Sequence, residues 1–365
     1  MSGGGTGGHI FPAIAIANAI KALRPDTEFL FVGAEGKMEM EKVPAAGYKI
    51  EGLWISGFQR KLTLTNLAFP FKVISSLKKA KSIYKSFKPD AVIGTGGFAS
   101  GPMLQVSAKR GAVTLIQEQN SYPGITNKLL SKKVDKICVA YDGMEKYFPK
   151  EKIVITGNPV RQDILSLEGK RERGLEYFGL SGDKKIILAI GGSLGARTIN
   201  ESILKCLESF DKKNIQLIWQ TGKGFFETAK QAVAHYENKG IKAFDFIQKM
   251  DYAYAAADLV ISRAGAISIS ELCLVRKPCI LIPSPNVAED HQTKNAMALV
   301  THHAVVIIKD IEAREKLCDI TFSLINDKEQ CYKLSVNIGH LAYKDSANVI
   351  ANEVLSLVNR KSFKN

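Results

Sequence analysis

Short aliphatic and β-branched runs alternate with amphipathic stretches from one end of the chain to the other. Strands are expected at Glu28–Val32, Ala91–Ile93, Val113–Gln117, Lys136–Val139, Ile153–Thr156, Lys185–Ile190, Gln216–Gln220, Leu259–Ile261, Cys279–Ile282 and Val305–Ile308. Helical spacing of apolar residues fills Pro12–Leu23, Phe71–Phe87, Gly124–Leu130, Thr198–Phe210 and Ala266–Leu274, with a last helix near Ser346–Val358 that no strand follows. Strands this apolar are buried on both faces, and strand–helix–strand alternation builds parallel sheets. The alternation restarts at the strand before Gly191, after Gly157-Asn158-Pro159 and a polar run, Arg161–Asp183, that suits a linker followed by a helix. The expected class is α/β: two doubly wound, Rossmann-like domains facing each other across a cleft.

Each strand end that matters carries glycines. The first loop, Gly3-Gly4-Gly5-Thr6-Gly7-Gly8-His9, runs into a helix with Pro12 in its first turn. Such a loop lets backbone N–H groups approach an anion, and the helix start adds donors and partial positive charge. Only Met1 and Ser2 precede it, whereas a phosphate loop normally follows a buried strand, so the first strand is expected to be missing. Gly3, Gly5 and Gly8 satisfy GxGxxG, but Glu35 lies 27 positions beyond Gly8 rather than about 20, which weakens a dinucleotide reading. Further loops follow at Gly94–Pro102 and Gly191–Arg197; the latter lacks the Gly-Lys-Ser/Thr of a Walker loop, and its amides and Ser193 hydroxyl suit a diphosphate. His9 is either an ordinary helix-start residue or, at the mouth of a cleft, a general base, since an imidazole titrating near about 6.5 takes up protons at neutral pH. Glu271, at the start of a helix after Ser262-Arg263-Ala264-Gly265, is either a capping acid or an acceptor for two ribose hydroxyls. Asp290-His291-Gln292-Thr293-Lys294-Asn295 offers hydrogen-bonding groups for a sugar; adjacent Asp290 and His291 are not a metal pair, and no DxD occurs.

Composition narrows the class. At about 150 residues per domain, 365 residues make two domains. A hydrophobic fraction of 45% and a mean hydropathy of −0.03 exclude a disordered or coiled-coil chain, and no apolar run reaches the ~18 residues of a membrane span. The N-terminus has neither a basic leader nor an apolar core, so a cytoplasmic rather than secreted protein is expected. The six cysteines, Cys138, Cys206, Cys273, Cys279, Cys318 and Cys331, form no CxxC pair and read as small apolar residues.

A net charge of +14 favours an anionic partner. Eight basic residues and no acidic one lie between Trp54 and Pro89, among Leu62, Leu64, Leu67, Phe69, Phe71, Val73 and Ile74. That pattern fits a solvated helix face over a core, or a basic rim that holds the protein on an anionic membrane. Neither aromatic–basic RNA motifs nor a DNA-reading helix accompany the charge, so no nucleic-acid partner is expected.

Together the strings GGGTGGHIFPA, GTGGFASGP, EQNSYPGITNK, GNPVR, GGSLGA, SRAGAISISE and DHQTKNA, collinear from position 3 to about 297, resemble the MurG family, the undecaprenyldiphospho-muramoylpentapeptide β-N-acetylglucosaminyltransferases of cell-wall synthesis. The resemblance implies GT-B architecture, with an acceptor and membrane-side domain over 1–158, a UDP-sugar domain over 159–342, and a C-terminal helix, 343–365, returning to the first. It implies transfer of N-acetylglucosamine from UDP-GlcNAc to the C4 hydroxyl of the muramoyl sugar of lipid I, with inversion, by a peripheral protein on the cytoplasmic face of the inner membrane, without cofactor or metal. Carried over by position, the donor would meet Thr6, Gly7, Gly8, Asn120, Arg161 and Ser193, with Ile247 against uracil through its backbone. Ala266, Ile267, Ser268, Ile269, Ser270 and Glu271 would line ribose and sugar, and Gln292 would meet the GlcNAc hydroxyls. His9 is the candidate base and Glu118 its rival. Gln117 departs from the family, many members of which carry histidine there. A UDP-GlcNAc epimerase and an NAD-dependent sugar-nucleotide oxidoreductase are the alternatives.

Overall fold

The structure is a computed structural model that describes residues 1–56, 69–192 and 194–362. The chain divides into one unit of Met1–Val160 with Asp345–Asn365, and a second of Arg161–Lys344. Strands β1 (Leu30–Ala34), β2 (Lys49–Leu53), β3 (Ala91–Gly94), β4 (Val113–Glu118), β5 (Lys136–Val139) and β6 (Ile153–Ile155) belong to the first unit. β1 and β2 pair in parallel, as do β3 through β6 in sequence order.

The residues before the glycine loop lie between these two ladders as an isolated bridge, and no named strand precedes the first helix among the described residues. Ser2 bridges Val32 on one side and Gly94 on the other, both in parallel. Its N–H donates to Ile93 O (2.8 Å), Val32 N–H donates to Met1 O (2.9 Å), and Thr95 N–H donates to Ser2 O (2.9 Å). Met1–Gly3 therefore occupy the central position from which the glycine loop departs.

The last helix, Ser346–Ser362, packs on the first, Gly7–Leu23; Ile350, Ala351 and Val354 meet Ile16 and Ile20 in one buried cluster with Leu115. This apolar contact ties the end of the chain to the helix that begins at the glycine loop.

The second unit contains β7 (Ile186–Ile190), β8 (Gln216–Gln220), β9 (Ile241–Phe244), β10 (Leu259–Ser262), β11 (Cys279–Leu281) and β12 (Val306–Ile307). They form a parallel sheet in the order β12-β11-β10-β7-β8-β9. Every residue of β7, β8 and β10 is buried, as strands covered on both faces require. Trp219 is wholly buried, and its indole N–H donates to Asn200 Oδ1 at 3.0 Å. The two strands absent from the sequence reading, β2 and β9, are edge strands with mostly half-buried residues, so neither carries a continuous apolar run.

The cysteine reading needs one correction. Cys206 and Cys318 form a disulfide, Cα atoms 6.2 Å apart, joining helices Arg197–Lys212 and Asp310–Asn326. A pair 112 residues apart leaves no spacing signal in the sequence. Cys138 and Cys273 are buried free thiols that burial pushes up to about 12.

Candidate active site

In the first unit the glycines bring two loops together. Gly97, at φ +82°, would place a Cβ 2.3 Å from Gly4 O, so only glycine permits the backbones of the first and second loops to meet. The first loop is also held by a residue the sequence reading did not single out. Glu39 is buried, and its carboxylate accepts from Gly5 N–H (3.0 Å) and Ala34 N–H (2.9 Å). One amide of the supposed anion loop thus already serves the protein's own carboxylate. No motif spacing marks Glu39; its signal exists only in three dimensions.

Thr6 stands at the N-cap position with extended backbone and makes no side-chain cap. Gly7 and Gly8 form the first turn, and His9 follows half-buried. Its Nδ1 lies 3.0 Å from Gln119 Oε1. Glu118 is differently placed. It is buried, with one carboxylate oxygen accepting from the Asn120 N–H (3.0 Å) and side-chain amide (3.2 Å). The other accepts from Gly124 N–H (3.1 Å) and the Asn127 amide (2.8 Å). Four donors occupy the carboxylate that was the rival base, and they shape the loop after β4.

In the second unit, the loop after β7 folds back on the turn after β8. Gly195, at φ +79°, would put a Cβ 1.9 Å from Thr221 O. A Gly195→Ala variant should lose on the order of 3 kcal/mol in denaturant unfolding, from the left-handed backbone and the clash together. Ser193 lies outside the described residues. Gln220 braces the same region: its amide donates to Gly192 O (3.1 Å) and its Oε1 accepts from Ile247 N–H (2.9 Å). The buried Ile247 thus has its N–H engaged by Gln220, which leaves its carbonyl for a base.

Helix Ala266–Val275 starts after Gly265, whose backbone is extended; Ala266, Ile267, Ser268 and Ser270 are half-buried, whereas Ile269 is buried. Glu271, on the second turn, does not cap. Its Oε1 accepts from Arg161 Nε at 2.8 Å and its Oε2 from the Tyr254 hydroxyl at 3.0 Å. Burial pushes the Glu271 carboxyl above the usual range, against the pull of Arg161 and the Tyr254 hydroxyl. For Arg161, burial is outweighed by Glu271 beside it, and the guanidinium is held charged more firmly than usual. The two directions differ because Glu271 is deeply buried while the Arg161 side chain is 41% exposed, so the carboxylate carries most of the desolvation. Each carboxylate oxygen keeps a lone pair for a second donor. Gln292 accepts from Ser284 N–H at 2.9 Å through Oε1, leaving its amide hydrogens for another partner. Among the described residues, no cluster of three His, Cys, Asp or Glu side chains is arranged for a metal.

Two family models match, the glycosyltransferase family 28 N-terminal domain over residues 1–139 and the C-terminal domain over residues 186–350. The chain belongs to glycosyltransferase family 28. Within that family it is similar to the UDP-N-acetylglucosamine–N-acetylmuramyl-(pentapeptide) pyrophosphoryl-undecaprenol N-acetylglucosamine transferase of Cytophaga hutchinsonii, 57% identical over 98% of this chain and 96% of that one. The enzyme of the same name from Parabacteroides distasonis is 55% identical over 99% and 98%. The crystal structure of Acinetobacter baumannii MurG superposes with a TM-score of 0.79 at 26% identity, covering 98% of each chain. The family 28 membership and two parallel α/β units agree with the MurG and GT-B readings drawn from the motifs.

Proposed function

We propose that this protein transfers N-acetylglucosamine from UDP-GlcNAc to the C4 hydroxyl of the muramoyl sugar of lipid I, giving lipid II with inversion. The observation that carries the reading is more than half identity, over nearly the full length, to transferases named for that donor and acceptor. The epimerase and oxidoreductase alternatives are not favoured by these relatives.

The residues suit the reaction. Arg161, Glu271, Gln292 and the start of helix Ala266–Val275, all in one unit, supply a cation, a ribose acceptor, amide donors and a helix dipole to the donor nucleotide. Thr6, Gly7, Gly8 and Asn120 complete the donor contacts in this reading, with Ile247 at the uracil and Ser193 at the diphosphate. His9 is the base that takes the proton of the acceptor hydroxyl as the anomeric carbon–oxygen bond to UDP breaks; Glu118, with both oxygens occupied, holds the loop instead. Purified protein should release UDP from UDP-GlcNAc rapidly only when lipid I is present. Equal release without acceptor, or conversion of the donor sugar to an epimer, would overturn the assignment.

The acceptor is lipid-linked, and the reading places the protein on the cytoplasmic face of the inner membrane. No described helix is long and apolar enough to cross a membrane. Residues 57–68 of the basic segment lie outside the described residues. In the remainder, helix Phe69–Phe87 exposes Phe71 (70%) and Ile74 (53%) alongside Lys78 and Lys81. Ile74, Leu77 and Val106 share a groove with Lys78, Lys81, Lys109 and Arg110. At roughly 1 kcal/mol per cation near anionic lipid, plus apolar insertion, a Phe71→Ser/Ile74→Ser double variant should lose about tenfold or more in co-sedimentation with phosphatidylglycerol vesicles. Binding by the parent protein that ignored lipid charge and salt would contradict the membrane reading.

A further inference from the structure

Behind His9 lies a line of buried amides whose orientations can be deduced one from the next. Asn158 begins it: one side-chain atom lies 3.0 Å from Gln119 O, a backbone carbonyl that only accepts, so that atom is Nδ2 and the other is Oδ1. Gln117 must then give Nε2 to Asn158 Oδ1, at 2.9 Å, leaving its own Oε1 as acceptor. Gln119 donates Nε2 to Gln117 Oε1 and, at 2.7 Å, to Thr95 O, a second backbone carbonyl. Both ends of the line thus rest on carbonyls that cannot reverse their polarity. Gln117, Gln119 and Asn158 are each buried to within 1% of full.

The consequence reaches the imidazole. Gln119 presents Oε1 to His9 Nδ1, and an oxygen acceptor requires that Nδ1 carry the proton. The ring sits in the space left by the absent Cβ of Gly96, where a Cβ would stand 2.8 Å from Nδ1 and Cε1, and Thr95 Oγ1 donates to the backbone His9 O at 2.8 Å. Among the described residues, Nε2 has no partner.

We infer that Gln119, polarised by Gln117, Asn158 and the Thr95 carbonyl, is a positioning residue that holds neutral His9 in its Nδ1-protonated tautomer and so keeps Nε2 unprotonated to receive the acceptor proton. The tautomer follows from the amide geometry alone; its catalytic meaning rests on His9 being the base.

Long-range proton–nitrogen correlation spectra of the full-length protein, labelled with nitrogen-15 in histidine, test it. His9 is assigned by the signals missing from His9→Ala. The wild-type ring, when neutral, should show the Nδ1-protonated pattern; an Nε2-protonated pattern overturns the inference without any variant. In Gln119→Leu, which cannot accept, the pattern should shift toward the Nε2-protonated form. There kcat should fall about 10- to 100-fold, the range typical of residues that orient a functional side chain, with the KM for UDP-GlcNAc unchanged. A Gln119→Leu protein that keeps both tautomer and kcat overturns the positioning role. If the tautomer is as inferred but His9→Ala costs less than tenfold, the base assignment fails and the amide line stands as structure only.

Discussion

Replacing His9 with alanine should lower kcat by about 10²–10⁴-fold, the usual contribution of a positioned general base, while the KM for UDP-GlcNAc changes little. The asymmetry follows from where His9 sits. It belongs to the first unit, on the first helix, where its Nδ1 meets Gln119 and its ring lies against Gly96, while Arg161 and Glu271 belong to the second unit. Its loss therefore removes a proton acceptor used only as the acceptor oxygen forms its bond, an interaction expressed in the transition state and not in donor binding. Glu118→Gln supplies the contrast. The four donors on that carboxylate include two backbone N–H groups, and an amide can satisfy only part of them. Glu118→Gln should consequently lower thermal stability, and its effect on turnover should accompany that loss. Stopped turnover in Glu118→Gln at unchanged stability, together with a mild His9→Ala, would reverse the two assignments.

The elements that could be read from the sequence were those with a strong period. β7, β8 and β10 are buried throughout and carry apolar runs at Ile186–Ile190, Leu217–Trp219 and Leu259–Ile261, and Arg197–Lys212 shows a clear apolar stripe. Edge strands such as Lys49–Leu53 mix Glu51 and Gly52 into a half-buried run and fall below the signal. Glycine loops were recognisable as loops but ambiguous in purpose. In the structure, Gly97 and Gly195 are required by neighbouring backbone, at Gly4 and Thr221, and the sequence cannot show which distant segment crowds a glycine. The same limit hid Glu39, Gln220 and Tyr254. Each acts through a partner brought close only by the fold: Gly5, Ile247 and Glu271 respectively. The aligned amides of Gln117, Gln119 and Asn158 were partly visible as a departure from the family at Gln117, though what that departure does depends on Asn158, 41 residues away.

Glu271→Ala should damage both stability and donor binding. Removing the carboxylate strands the Tyr254 hydroxyl, whose side chain is wholly buried, and frees Arg161 from its partner. Breaking a buried pair from one side costs about 3–5 kcal/mol, but Arg161 keeps substantial exposure and can rehydrate, so about 2–4 kcal/mol is expected in denaturant unfolding. Glu271→Gln separates the two effects. The amide oxygen still accepts from Arg161, and the amide nitrogen can donate to the Tyr254 oxygen, so most of the stability should remain. A ribose hydroxyl would then lose a charged acceptor. A hydrogen bond to a charged group contributes about 1.5–3 kcal/mol, which corresponds to roughly a 10- to 150-fold rise in the KM for UDP-GlcNAc. Tyr254→Phe leaves the carboxylate charged and paired with Arg161 but free to turn, and should raise that KM less, by about threefold to tenfold, with kcat unchanged. If Glu271→Gln bound UDP and UDP-GlcNAc as tightly as the parent protein in calorimetry, the carboxylate would be a structural partner of Arg161 alone. The ribose would then have to be held elsewhere on the helix that begins at Ala266.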